Sequence, residues 1–99
     1  MFDQDLTTVT RPNNRPTVCF FIQAAADPSS LPRVLELFAK RGLVPQRCHS
    51  DLAGEGGESA MTIDLQIQGL TDQQTAHVSQ CLDQMWVVDS VITSHKQFD

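Results

Sequence analysis

The segment from Thr17 to Ala25 constrains this chain most. It contains Val18-Cys19-Phe20-Phe21-Ile22, a β-branched and aromatic run that favours extended backbone. Side chains alternate sides along a strand, so Phe20 and Ile22 point one way and Cys19 and Phe21 the other. A strand that is apolar on both sides is covered on both sides. One face is expected to meet helices. The other needs a second cover.

The next stretch supplies a helix. Asp27-Pro28 reads as an N-cap followed by a first helical residue. Leu31, Val34, Leu35 and Phe38 then recur at helical spacing and form one apolar stripe. Arg33, Glu36, Lys40 and Arg41 lie largely off it. Gly42 is the expected stop, and the basic residues before it suit the negative end of the helix dipole.

A weaker strand is predicted over Val44 to Ala53. Pro45 lacks an N–H donor, and the polar residues that follow suit a sheet edge. Gly54-Glu55-Gly56-Gly57 reads as a hairpin loop. From Ser59 to Gln68 the alternation is strict: Met61, Ile63, Leu65 and Ile67 against Thr62, Asp64, Gln66 and Gln68. That pattern predicts one buried face and one wetter face. Thr71 and Gln74 are spaced as a capping box for a second helix, whose stripe is Val78, Cys81, Leu82 and Met85. Trp86 to Ser94 is predicted as the last strand.

The order is strand, helix, strand, strand, helix, strand. Right-handed crossovers turn this into an α+β, ferredoxin-like β-α-β-β-α-β sandwich. Its four-stranded antiparallel sheet has the order 4-1-3-2, with two helices on one face. The first and third strands are then central, and the strand near Pro45 is an edge. The opposite sheet face carries Cys19 and Phe21, a candidate interface with a second copy. Residues 1–16, with the breaker cluster Arg11-Pro12-Asn13-Asn14-Arg15-Pro16, read as a flexible N-terminal tail. Residues 96–99 read as a short C-terminal tail.

With 99 residues the chain fits one domain, and its modest core makes a homodimer a reasonable expectation. A net charge of −5 disfavours nucleic acid. No apolar run approaches the roughly 20 residues that a membrane span needs. Cys19, Cys48 and Cys81 are odd in number and well separated, which suits a reducing compartment rather than a disulfide framework. No basic start followed by an apolar stretch marks a signal peptide, so a cytoplasmic location is expected.

The chemistry expected of this order is sparse. Cys48-His49 is the one adjacent pair of possible metal ligands, and neighbours on a strand face opposite ways, so no metal site or cofactor is expected. His49, His77 and His95 sit on separate elements, so no nucleophile-and-base arrangement can be argued and no enzyme activity is expected. A small hydrolase on this fold is the enzyme-class rival. What remains is the loop from Ala24 to Leu31, where a helix N-terminus offers free backbone donors. Asp27, Pro28, Ser29, Ser30 and Leu31 are the candidate ligand-binding residues, for a small acid such as an amino acid. The competing reading is that Asp27, Ser29 and Ser30 only cap the helix.

The segment Asp27 to Gly42 resembles the first loop and helix of ACT domains. That family shows a Pro-Gly pair, then Leu, Val, an aromatic or aliphatic pair, and Arg-Gly. Pro28, Leu31, Val34, Phe38, Arg41 and Gly42 stand at those places, and the resemblance spans residues 17–95. Within the family, Leu31-Pro32-Arg33-Val34 and Lys40-Arg41-Gly42 look most like the short single-domain small subunit of acetolactate synthase. The resemblance implies a non-catalytic regulatory domain in branched-chain amino-acid biosynthesis. It also implies a large catalytic subunit as partner. A free-standing sensor of an amino acid or related metabolite is the alternative. The family's glycine after the proline is Ser29 here, which places a side chain on the path an effector would take.

Overall fold

A computed structural model describes residues 16–53 and 60–96. Strand β1 spans Thr17–Ala25, helix α1 Ser30–Lys40, strand β2 Arg47–Ala53, strand β3 Ala60–Gln68, helix α2 Asp72–Asp83 and strand β4 Val88–Lys96. All three ladders are antiparallel, and the sheet order is β2-β3-β1-β4, the predicted order read from the other end. Of the predicted tail over residues 1–16 only Pro16 is among the described residues, and the predicted glycine-rich hairpin loop lies outside them. Of the predicted C-terminal tail over 96–99, Lys96 instead ends β4 and the rest lies outside the described residues.

Directly paired residues share a face, so the register sorts the sheet. Val18, Phe20, Ile22 and Ala24 pair with Ile67, Leu65, Ile63 and Met61 on the face toward the helices. Val34 and Phe38 of α1 and Val78 and Leu82 of α2 close over them in one buried cluster. Both helices therefore cover the same face. At its centre Phe20 and Phe38 meet edge to face, with ring centroids 5.5 Å apart and planes at 67°, the arrangement that aromatic quadrupoles favour.

Helix ends differ in how well their chemistry was legible. The α2 start follows the prediction: the Thr71 hydroxyl accepts from Gln74 N at 3.0 Å and Gln74 Oε1 accepts from Thr71 N at 2.9 Å. The α1 stop does too. Gly42 takes a φ of +70°. Its N–H donates to Ala39 O at 3.0 Å, and Leu43 N donates to Phe38 O at 2.9 Å, the pair of bonds that ends a helix on a left-handed residue. The α1 start is a correction: the N-cap is Ser29, not Asp27, and the helix opens at Ser30 rather than Pro28.

Other boundaries also shift. Pro45 precedes β2 instead of lying in it, because the ladder begins only where Arg47 pairs with Gln66. Trp86 lies in the turn before β4, which starts at Val88 and runs to Lys96. The pairing skips Asp89 between Ala24↔Val88 and Gln23↔Ser90, a bulge that brings Val88 and Val91 both to the helix side. In α2, Thr75 joins Val78 and Leu82 in the buried set, while Cys81 is only partly covered. Strand β2 is exposed along its whole length, Leu52 included at 71%.

Candidate functional site

The loop between β1 and α1 was the expected ligand site, and its polar groups are already engaged with one another. Asp27 Oδ1 accepts from Ser29 N at 2.8 Å and from the Ser29 hydroxyl at 2.7 Å. An aspartate bonding two residues ahead is a local turn that competes with helix. This is why α1 starts later than the Asp-Pro pair suggests. Ser30 is fully buried, and its hydroxyl donates to Ala25 O at 2.7 Å. Its N–H donates to Asp27 O at 2.9 Å, and Arg33 N donates to Ser29 O at 3.0 Å.

A helix N-terminus attracts an anion because its first donors are free. Here the protein's own carboxylate fills that role. Hydrogen bonds from the Ser29 hydroxyl, and then from its amide, hold the Asp27 carboxyl below its ordinary 3.8; the charge of Arg33 adds to the effect and slight burial opposes it. Ser29 has φ −88° and ψ −8°. Any L-residue adopts that conformation, so the position does not demand glycine. What serine changes is the space in front of the loop and the donor it gives to Asp27. Pro28 is exposed and Leu31 half-buried, so of the five loop residues Asp27, Ser29 and Ser30 form a closed hydrogen-bonded unit.

The second candidate is the sheet face away from the helices. Phe21 and half-buried Cys19 lie on it, as expected from the alternation of β1. Phe21 pairs with Asp64 on one side and with Ile92 on the other. Phe21 is 39% exposed and Ile92 62%. Ile92 was not singled out from sequence. The signal was present in Val91-Ile92, two adjacent apolar residues of one strand that must face opposite ways. On the side of Phe21 away from Ile92 lie Asp64 and then His49 and Asp51, with His49 Nε2 at 2.9 Å from Asp51 Oδ2. Gln23, Thr62, Gln66 and Ser90 add polar groups to the same face, Ser90 donating its hydroxyl to Gln23 Oε1 at 3.1 Å.

Among the described residues no group of three or more His, Cys, Asp or Glu side chains could hold a metal ion. Cys48 pairs with Leu65 and His49 with Asp64, which puts the two on opposite faces. No helix of the described residues is long and apolar enough to cross a membrane. Trp86, exposed at 68%, stacks on the Arg33 guanidinium at 5.6 Å from the ring centroid. This contact ties α1 to the turn before β4.

A family model described as an ACT-like domain matches residues 10–97. No curated protein matches the sequence. The fold is similar to the ACT domain of GTP pyrophosphokinase from Chlorobium tepidum, with a TM-score of 0.64 and 12% identity over 81% of this chain and 99% of that one. It is similar to the C-terminal domain of the MgtC protein from Mycobacterium tuberculosis, with a TM-score of 0.65 and 10% identity over 84% and 89%. The ligand-free regulatory subunit of aspartate kinase from Thermus thermophilus gives a TM-score of 0.58 and 15% identity, over 81% of this chain but 50% of that one.

Proposed function

The chain belongs to the ACT-like domain family, and from that membership we propose that it is a regulatory module without an active site that works by contact with other protein chains. The observation that carries this reading is the solvent-facing pair on the outer sheet face, Phe21 on central strand β1 and Ile92 on edge strand β4, together with a β1–α1 loop in which Ser29 gives both its amide and its hydroxyl to Asp27. A sheet face with exposed large apolar groups between polar flanks is suited to burial against protein. A loop that supplies its own anion offers little to a ligand carboxylate.

In this reading Cys19, Phe21 and Ile92 sit at the contact of a cytoplasmic homodimer. The same chain is the small subunit of an acetolactate-synthase-like enzyme, and its large partner carries out the chemistry of branched-chain amino-acid biosynthesis. The finer identification rests on the likeness of Leu31-Pro32-Arg33-Val34 and Lys40-Arg41-Gly42 to such subunits.

Sedimentation tests the contact. The parent chain should run heavier than its 11.0 kDa, and Phe21→Asp, at a partly exposed position, should shift it to monomer without unfolding it. Co-purification with a synthase large subunit tests the partner; recovery of nothing would count against it. Calorimetry with branched-chain amino acids separates this reading from that of a free sensor. Heat of binding that disappears on changing Ser29 or Ser30 would favour the sensor. Turnover of an acyl phosphate by the isolated chain would overturn the non-catalytic reading.

A further inference from the structure

We propose a second, ligand-binding site on the helix side of the molecule: a cleft between the C-terminal end of α1 and the first half of α2 that takes a small aliphatic carboxylic acid lacking an amino group. The cleft has a volume of about 520 Å³ and is walled by Arg41, Leu43, Leu70, Gln73, Gln74, His77 and Val78. That volume lies within the roughly 300–1,000 Å³ typical of small-molecule sites. Leu70 and Val78 are buried and Leu43 is half-buried, so the floor is apolar. The polar groups are gathered at the mouth, where Arg41, Gln73 and His77 are exposed.

The charge of this wall determines the class of ligand. Arg41 and His77 are its ionisable side chains, and no carboxylate lines it. The chain as a whole carries −5. A guanidinium over an apolar floor therefore stands out against an acidic molecule, and it suits a carboxylate at the mouth with a hydrocarbon body below.

The end of α1 would ordinarily oppose an anion, because the last carbonyls of a helix point outward with partial negative charge. Here those carbonyls are largely satisfied. Arg41 Nη1 donates to Leu37 O at 3.1 Å. Leu43 N donates to Phe38 O, and Gly42 N to Ala39 O. Arg41 Nη2 also donates to Cys81 Sγ at 3.4 Å. These two side-chain contacts hold the guanidinium between the helices, and its remaining N–H groups are left for a ligand.

The lack of an acidic group sets the selectivity. An α-ammonium placed beside the carboxylate would face Arg41 and His77 with no counter-charge. The site is therefore expected to prefer the deaminated acid over the amino acid with the same skeleton. This proposal does not depend on the outer-face contact, which lies on the other side of the sheet.

The test is a solution titration of the full chain followed by amide NMR. The probes are 4-methylpentanoate, the corresponding amine 4-methylpentan-1-amine, and leucine, each to about 10 mM, a range that detects weak small-ligand affinities. Saturable shifts from the acid, centred on residues 41–43 and 70–78, are expected. The amine should produce none, and leucine should bind about tenfold more weakly, a difference of ~1.4 kcal/mol. Arg41→Gln, an exposed position whose fold is checked by circular dichroism, should weaken the acid by at least about tenfold. Equal binding of the amine, unchanged binding by Arg41→Gln, shifts centred on residues 26–31 instead, or no saturable shift with the acid would each overturn the proposal. If Arg41→Gln is unfolded, the comparison of acid with amine on the parent chain decides.

Discussion

The Asp27 carboxylate takes both donors of Ser29, the amide at 2.8 Å and the hydroxyl at 2.7 Å, so the β1–α1 loop carries its own anion. This relationship has a pH consequence. The carboxyl sits below its ordinary 3.8 in the folded chain. The unfolded chain therefore binds the proton first as pH falls. The stabilisation is fully present above 3.8 and is lost as pH drops through the folded-state value. Asp27→Asn should be less stable than the parent at neutral pH, with the gap closing in acid. Urea unfolding at both ends of that range, with a carbon-13 titration of the Asp27 carboxyl, checks it.

Ser30 is the buried member of the same loop. Its hydroxyl donates to Ala25 O at 2.7 Å, anchoring the helix start to the end of β1. Ser30→Ala leaves that carbonyl without this donor and should cost about 1–3 kcal/mol. Urea unfolding of the pair of proteins measures it, and slower amide exchange at residues 25–30 in the parent locates it.

Thr17 behaves in the opposite way. Its side chain is fully buried and its Oγ1 has no hydrogen-bond partner among the described residues. Valine has nearly the same shape and no hydroxyl to desolvate. Thr17→Val should therefore stabilise by about 1 kcal/mol, visible as a higher urea midpoint with an unchanged slope.

Gly42 holds a φ of +70°, and a Cβ built there meets nothing within 4 Å. Substitution is thus not blocked by contact. Its cost is the left-handed backbone alone, about 1–2 kcal/mol for an L-residue. Gly42→Ala should show that loss, and Gly42→Asn a smaller one, since asparagine tolerates this conformation better.

At the other helix, Thr71 and Gln74 exchange bonds of 2.9 and 3.0 Å. Thr71→Ala removes the acceptor of the Gln74 amide and should cost about 0.5–2 kcal/mol. Because β4 packs beside α2, the loss is expected in global unfolding and not only as fraying of the first turn.

Much of this protein was legible in its residues. The alternation of Met61, Ile63, Leu65 and Ile67 fixes which side of β3 is buried, because a period of two has one solution on a pleated sheet. The spacing of Val34 and Phe38 does the same for α1, and Gly42 marks its end. The outward turn of Phe21 follows from Phe20 and Ile22 facing inward. The opening of α1 was not legible in the same way. Asp27-Pro28 suits a helix start, but the aspartate bonds ahead to Ser29 and delays it, and two local patterns compatible with one sequence are resolved only by where the chain comes from and goes to.

The sequence by itself determined the order of elements, the inward and outward sets of β1 and β3, and the N-terminal cap of α2, since these depend on residues a few positions apart. Tertiary structure decided what those elements bring together. Phe21 lies beside Ile92 only because β1 and β4 pair antiparallel, 71 positions apart in the chain. Arg41 lies beside Cys81 only because α1 and α2 lie side by side on one face of the sheet. Whether the β1–α1 loop offers donors to a ligand or spends them on Asp27 was also a matter of geometry. The same side chains can do either, and hydrogen-bond distances of 2.7 and 2.8 Å show that Ser29 gives both of its donors to Asp27.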